Sequence, residues 1–247
     1  MAVASRVRHF LSIGDLERDE LELLLDQSAK GKARPSTGGL AGRTIALIFE
    51  KPSLRTRLSF DVGIAQLGGH CVYLSPAEVG LGRRESVSDV ARVTSRMADA
   101  VVLRVNAHET IEEFARYSEI PVINGLSDLS HPCQGLADIF TIRERKGPDL
   151  RGVAIAYIGD GNNVAHSLML CAAKTGASLR LGEQRRVQLE ALEGTPSSFV
   201  LLLLTHARPD IGVDDVGVGD RGGGGVPDRD ARAGPLRGGL REVTVAR

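Results

Sequence analysis

The fold is indicated most clearly by the stretch Phe49-Glu50-Lys51-Pro52-Ser53-Leu54-Arg55-Thr56-Arg57-Leu58-Ser59-Phe60, whose first residue ends an apolar run. Residues 45–49 predict a buried strand, and Ser53 is a favoured N-cap for the helix that follows. The first backbone N–H groups of such a helix have no partner, and the helix dipole favours an anion beside them. Arg55 and Arg57 add permanent charges, while Ser53 and Thr56 add hydroxyls. The stretch therefore predicts a phosphate site; the alternative is an ordinary capped helix with solvated arginines.

From about residue 43, short apolar runs alternate with amphipathic stretches. Further strands are predicted at residues 71–74, 101–105, 121–123 and 153–158. Helices are predicted at residues 16–29 and 136–145, and also where helical spacing relates Leu58, Val62 and Ala65, then Val87, Val90, Val93 and Met97, then Ile111, Phe114 and Tyr117. This βαβα order favours parallel sheets with helices on both faces. The predicted fold class is α/β, with two parallel-sheet three-layer domains, the second incomplete.

Composition divides the chain into three parts. Lys146-Gly147-Pro148 follows a long predicted helix and precedes a new strand, so we expect one domain at residues 1–146 and a partial second domain at residues 147–204. From about residue 205 the sequence is low in complexity and includes four glycines at residues 222–225. Such a segment buries too little apolar surface to offset its ordering entropy, so residues 205–247 are expected to be disordered. Their composition also resembles GC-rich coding sequence translated out of frame, which sequencing the gene would test.

The overall balance of charge and cysteine excludes several classes of protein. Lys plus Arg and Asp plus Glu both total 31, so the formal net charge is zero and no nucleic-acid partner is expected. The three cysteines lack C-x-x-C spacing, which indicates neither a disulfide framework nor a zinc site. The longest apolar run, residues 199–204, is far shorter than the roughly 20 residues that span a bilayer. We expect a cytoplasmic protein without a membrane partner.

A second cluster of polar residues is Ser130-His131-Pro132-Cys133-Gln134. Pro132 suits the first position of a helix, which leaves His131 exposed just ahead of it near the same edge of the sheet. His131 and Gln134 could donate hydrogen bonds to a carbonyl oxygen and polarise it. Alternatively, His-Pro is only the start of a helix.

Arg104 lies near the end of the predicted strand at residues 101–105. A charge that interrupts a buried strand needs a partner, and a bound oxyanion is one candidate. A salt bridge to Glu109 or Glu112 is the other.

The third motif is Gly159-Asp160-Gly161-Asn162-Asn163, at a junction between a strand and a helix. It resembles part of a dinucleotide-binding fingerprint, but Val164 occupies the position of the third small residue, which disfavours a nucleotide-dependent oxidoreductase. The two asparagine amides suit an amino-acid carboxylate or the fixing of the turn itself.

These motifs, in this order and spacing, closely resemble those of the ornithine carbamoyltransferases. That family has an S-T-R-T-R phosphate loop, an arginine at a strand end, H-P-C-Q, and a G-D-x-x-N-N turn. The corresponding residues here are 53–57, Arg104, 131–134 and 159–163. The resemblance extends over roughly residues 8–180, and H-P-C-Q with paired asparagines points to ornithine rather than aspartate as acceptor.

The resemblance implies transfer of a carbamoyl group from carbamoyl phosphate to the δ-amine of L-ornithine, a step of arginine metabolism, by a homotrimer with sites at subunit interfaces. It implies no metal and no organic cofactor. The residues implied to bind carbamoyl phosphate are Ser53, Leu54, Arg55, Thr56, Arg57, Arg104, His131, Pro132, Cys133 and Gln134. Of these, Arg55, Arg104, His131 and Gln134 are implied to be catalytic, and Asn163 is implied to contact ornithine.

The chain also departs from the family pattern. Leu54 replaces the usual threonine, and Gly80 stands where many relatives carry a glutamine that reaches a neighbouring subunit, a role that Arg84 could cover in part. The later motifs D-x-x-x-S-M-G and H-C-L-P are not found after residue 180. A remnant that binds carbamoyl phosphate without catalysis is therefore the alternative to an enzyme.

Overall fold

The structure is a computed structural model that describes residues 7–34, 38–182, 199–203 and 241–242. Its strands are β1 (Thr44–Phe49), β2 (His70–Leu74), β3 (Ala100–Arg104), β4 (Val122–Leu126), β5 (Ala154–Ile158), β6 (Ser178–Gly182), β7 (Phe199–Leu203) and β8 (Arg241–Glu242). Its helices are α1 (Arg18–Ala33), α2 (Leu54–Gln66), α3 (Pro76–Val79), α4 (Val87–Met97), α5 (His108–Tyr117), α6 (Pro132–Lys146) and α7 (Asn163–Thr175), and a short 3-10 helix spans Ile13–Asp15.

The first sheet has the strand order β2-β1-β3-β4, and all of its pairs are parallel. Successive side chains along β1 point to opposite faces of the sheet. Ala46 and Ile48 pack with α4 and α5, while Leu47 and Phe49 pack with α2 through Ile64. Helices therefore cover both faces, which confirms the predicted three-layer α/β architecture for this sheet.

The second sheet has the order β7-β5-β6-β8. Strands β6 and β7 both pair in parallel with β5, but β8 pairs with β6 in the antiparallel direction. The three strands β7, β5 and β6 thus form the parallel sheet that the sequence predicts for the second domain, and β8 adds a short antiparallel edge. Ile155 and Tyr157 of β5 pack with residues of α1, α6 and α7 in one continuous core.

Most predicted elements are present, with shifted ends. Helix α1 extends to Ala33, and α6 begins at Pro132, four residues before the predicted start. Strands β6 and β7 and the short α3 were not predicted. The predicted tail at residues 205–247 lies outside the described residues apart from β8.

The helical spacing at residues 58–65 predicts the right element but not its buried face. Leu58 and Val62 are 57% and 44% exposed, whereas Ile64 is buried. Val93 and Met97 of α4 are likewise exposed, and the buried residues of that helix include Ala91 and Thr94. In the part of the chain that the structure describes, no helix has the length and hydropathy of a membrane span.

Candidate functional site

The candidate site lies where the strand order of the first sheet reverses. Chain connections lead from β1 to β2 on one side and onward to β3 on the other, so β1 and β3 flank the switch point. In open α/β sheets this crevice, at the carboxyl ends of the strands, is where ligands bind. Glu50 links the two sides of the crevice. Its backbone N–H donates to Arg104 O at 2.7 Å, and its carboxylate accepts from the backbone N–H of Asn106 at 2.7 Å.

The loop after β1 presents the start of α2 to this crevice. Ser53 is the N-cap residue, as predicted, but its side chain makes no capping hydrogen bond and instead donates to Thr56 Oγ1 at 2.9 Å. The first backbone N–H groups of the helix thus keep their donor capacity for an anion. Thr56 Oγ1 also accepts from Arg104 Nη1 at 3.5 Å, a long contact that brings α2 and β3 together.

The remaining side chains of this loop point in different directions. Leu54 is 80% exposed, so its position in the loop contributes through the backbone. Arg55 is exposed as well. Arg57 lies with its guanidinium carbon 3.7 Å from the centre of the Tyr73 ring, on β2. The structure therefore engages Arg57 with an aromatic face, while Arg55 remains available to a ligand.

Arg104 ends β3 and is half-buried. Burial lowers the pKa of its guanidinium, and its Nε is buried without a hydrogen-bond partner among the described residues. The alternative, a salt bridge from Arg104 to Glu109 or Glu112 of α5, is wrong. Within residues 38–182, the one ion-pair contact that either glutamate makes is that of Glu112 with His108. A buried donor without a partner costs free energy, which an anionic ligand would recover.

His131 follows β4 and is the N-cap residue of α6, with Pro132 at the first helical position as predicted. The prediction that His131 is exposed is wrong, because the residue is half-buried and its Nδ1 has no partner within the described ranges. Burial, and then the nearby charge of Arg104, lower its pKa to about 4. The imidazole is therefore neutral at physiological pH, so it can donate one N–H without adding a charge.

The backbone of His131 is held from the second sheet's side. Its N–H donates to Ser167 Oγ at 2.9 Å, and Ser167 in turn donates to Asn163 O on the same helix, α7. Gly135 permits this approach, since a Cβ there would lie 3.0 Å from Ser167 Cβ. Helix α7 thus positions a candidate catalytic residue of α6.

Cys133 and Pro132 support the site rather than face it. Pro132 is buried, and the Cys133 thiol donates to Asn124 O at 3.5 Å. Burial raises the pKa of Cys133 to about 12, so its thiol remains protonated and unreactive as a nucleophile at neutral pH.

Gln134 is engaged by a residue that sequence reasoning missed. Its side-chain Nε2 donates to Asp138 Oδ1 at 2.8 Å, one turn further along α6. Asp138 is only 8% exposed, and burial raises its pKa to about 6. The spacing of four residues on one helix was the available signal for this pair.

The asparagine pair at the start of α7 has two separate tasks. Asn162 is the N-cap residue and accepts from the backbone of Val164 and Ala165, so its turn-and-cap interpretation is confirmed. Asn163 donates through Nδ2 to Ser127 O at 2.5 Å and so joins α7 to the loop that carries His131. No group of His, Cys, Asp and Glu among the described residues is arranged to hold a metal ion.

Three comparisons with known proteins bear on this site. The family model for the carbamoyl-P binding domain of aspartate/ornithine carbamoyltransferases matches residues 8–144, which include every candidate residue of the phosphate crevice. An ornithine carbamoyltransferase of Anoxybacillus flavithermus is 51% identical over 173 residues, 68% of this chain and 55% of the relative. Another, of Carboxydothermus hydrogenoformans, is 45% identical over 216 residues, 83% of this chain and 69% of the relative.

Solved structures agree with these sequence matches. The ornithine carbamoyltransferase from Pyrococcus furiosus superposes with a TM-score of 0.68 at 41% identity, covering 81% of this chain and 68% of that one. The enzyme from Thermus thermophilus gives a TM-score of 0.67 at 39% identity, covering 78% and 67%. The chain thus spans between about half and two thirds of the length of the proteins it matches.

Proposed function

Because this chain belongs to the aspartate/ornithine carbamoyltransferase family, we propose that its crevice binds carbamoyl phosphate and that the chain transfers the carbamoyl group to L-ornithine. The products are L-citrulline and phosphate, in a step of arginine biosynthesis. The observation that carries the proposal is the convergence of Thr56, Arg104 and His131 from three neighbouring elements at the switch point of the sheet. In this proposal residues 1–146 form the carbamoyl-phosphate domain and residues 147–204 contribute part of the ornithine domain.

The phosphate group of the ligand suits the start of α2. Backbone N–H groups at residues 54–56, the hydroxyls of Ser53 and Thr56, and the exposed Arg55 together supply neutral and charged donors. Two negative charges on the ligand interact favourably with the positive end of the helix dipole. Arg57, stacked on Tyr73, adds its charge from the side of β2.

The carbamoyl carbonyl suits Arg104 and His131. The δ-amine of ornithine, in its unprotonated form, forms a new bond to the carbamoyl carbon, and negative charge develops on the carbonyl oxygen. Arg104 and the neutral His131 donate hydrogen bonds to that oxygen, which stabilises the transition state because both groups are already in place. The bond from the carbamoyl carbon to the phosphate oxygen then breaks, the phosphate leaves, and the attacking nitrogen releases a proton.

We also propose that the chain acts as a homotrimer. One face of α2 exposes an apolar row one turn apart, consisting of Leu54, Leu58 and Val62, which are 80%, 57% and 44% exposed. Contiguous apolar surface of this kind is typical of interfaces between subunits. The row begins at the phosphate loop, so an adjoining subunit seated on it would also border the site.

A second candidate function is binding of carbamoyl phosphate without turnover. It is favoured by the engagement of the Asn163 amide nitrogen, which donates to Ser127 O. Asn163 is the only proposed ornithine contact, and one of its donors is therefore already in use.

Two measurements on the purified 247-residue chain distinguish these functions. Citrulline formation from carbamoyl phosphate and ornithine, abolished by Arg104→Gln, supports the transferase. Calorimetric binding of carbamoyl phosphate without citrulline supports the non-catalytic alternative. Absence of both binding and turnover would refute the two together.

A further inference from the structure

Asp138 is a buried carboxylate that the proposed reaction does not use. It lies on α6, is 8% exposed, and within residues 38–182 its Oδ2 has no hydrogen-bond partner and no cation pairs with it. The titratable groups that sense its charge are Tyr157 of β5 and Cys171 of α7, and burial raises the pKa of both, so that both are neutral at pH 7. An isolated buried carboxylate lowers the stability of a fold, which calls for a reason other than folding.

Within residues 7–34 and 38–182, the one hydrogen bond of the Asp138 carboxylate is with a candidate site residue. Gln134 Nε2 lies 2.8 Å from Asp138 Oδ1. An ionised carboxylate can only accept hydrogen bonds, whereas a glutamine amide has a donor edge and an acceptor edge. The contact therefore requires the donor edge of Gln134 to face Asp138, and it leaves the carbonyl oxygen Oε1 on the other edge of the amide.

Gln134 follows His131 by three residues, which places both on one side of the first turn of α6. A fixed acceptor beside the imidazole donor of His131 complements a carbamoyl group, whose oxygen accepts and whose NH2 donates. In this arrangement Gln134 accepts a hydrogen bond from the ligand, whereas the sequence analysis expects it to donate one to the carbonyl oxygen.

We propose that Asp138 is a positioning residue that holds the Gln134 amide with its oxygen towards the ligand, and that this pair makes the site selective for carbamoyl phosphate over acyl phosphates without an NH2 group. The inference rests on the proposed function. Acetyl phosphate is the discriminating ligand, because a methyl group replaces the NH2 at nearly the same size and cannot donate.

The test measures the dissociation constants of carbamoyl phosphate, acetyl phosphate and inorganic phosphate by calorimetry with the 247-residue chain. One hydrogen bond of about 1.4 kcal/mol corresponds to tenfold, so we expect the unchanged chain to prefer carbamoyl over acetyl phosphate by about tenfold or more. Asp138→Leu replaces the carboxylate by an apolar side chain of similar size. It should raise the dissociation constant of carbamoyl phosphate about tenfold and change those of the other two ligands less than about twofold.

A second arm separates positioning from a general structural role. If Asp138 acts through Gln134, Asp138→Leu has no further effect in a Gln134→Ala background, whereas a structural role weakens all ligands in both backgrounds. Asp138→Asn keeps the volume of the side chain and provides a second test if the Leu variant does not fold. Because the amide of the new asparagine can adopt either orientation, we expect an intermediate loss of selectivity.

Equal weakening of all three ligands by both Asp138 variants, or an undiminished effect in the Gln134→Ala background, would overturn the inference. Failure of the unchanged chain to bind any of the three ligands would instead overturn the proposed function, and this inference with it.

Discussion

Arg104 is half-buried and Asp138 is buried, and each has a buried polar atom without a hydrogen-bond partner in the described part of the chain. Neither position is explained by stability, because burial opposes ionisation of both groups. At the scale of single residues, therefore, the candidate site holds charged groups in surroundings that disfavour their charge, and binding of a ligand accounts for their position.

We predict that Arg104→Gln weakens the binding of carbamoyl phosphate by about 10- to 100-fold, because a charge-assisted hydrogen bond contributes about 1.5–3 kcal/mol. Without ligand, the variant should unfold at the same or a higher urea concentration than the unchanged chain, since a desolvated charge is removed. Arg92→Gln is the control, because Arg92 lies over the Tyr117 ring away from the crevice. Retained affinity in Arg104→Gln would exclude Arg104 from the binding site.

The pH dependence of stability provides a separate prediction for Asp138. Burial raises its pKa from 3.8 to about 6, so the ionised form is disfavoured in the folded chain and stability is lost as the pH rises towards 6. Asp138→Asn removes this loss. Relative to the unchanged chain, its free energy of unfolding should therefore increase by about 1 kcal/mol more at about pH 8 than at about pH 5.

Urea unfolding at the two pH values measures the difference. Asp149→Asn is the matched control, because Arg151 lowers the pKa of Asp149 to about 2 and its titration is complete below both pH values. An equal effect of Asp138→Asn at both pH values would show that Asp138 titrates normally.

At the scale of elements, the crossing of α6 and α7 couples the two sheets to the site. Ser167 of α7 accepts the His131 N–H, and Gly135 of α6 allows the two helices to approach. Asn163 adds a second link, to the loop that precedes His131. The orientation of His131 therefore depends on a helix that follows it by more than 30 residues in the sequence.

We predict that Gly135→Ala lowers the free energy of unfolding by about 1–3 kcal/mol, since the added methyl meets Ser167 Cβ at 3.0 Å and the Ser167 backbone at 3.3 Å. Gly63→Ala, in α2, is the matched control because no atom of the described residues lies within 4 Å of its added methyl. In that helix alanine should stabilise by up to about 1 kcal/mol. Denaturant unfolding of both variants checks the contrast, and equal effects would mean that the helices do not cross closely at Gly135.

At the scale of the whole molecule, the exposed apolar row of α2 is unusual for a surface left in water. Its members follow one another at intervals of four residues, so they lie along one side of the helix. A row of this kind is the reason to expect association of subunits beside the phosphate loop.

We predict that Leu58→Asp lowers the assembly state of the chain from trimer towards monomer, because association would bury the new charge in an apolar interface. Size-exclusion chromatography with light scattering measures the mass. Leu23→Asp is the control, since Leu23 of α1 is exposed to a similar degree, 55% against 57% for Leu58. A monomeric unchanged chain, or equal dissociation by both variants, would contradict the proposed interface.

The sequence by itself determined the α/β class and the location of the phosphate loop. These depend on local patterns: a buried run followed by Ser53 and charged residues defines a strand, a turn and a helix N-terminus without reference to the rest of the chain. Arg104 was also recognisable, because a charge in an apolar strand is conspicuous at any position.

Only the tertiary structure decided which faces are buried and which polar groups meet. Leu58 and Ile64 are equally apolar, and packing against the sheet alone selected Ile64 for the core. The contact of His131 with Ser167 joins residues 36 apart, and the burial that lowers the pKa of His131 comes from several elements together. Such contacts and desolvation are properties of the packed chain, so local periodicity, which senses only neighbours within a turn or a strand, does not contain them.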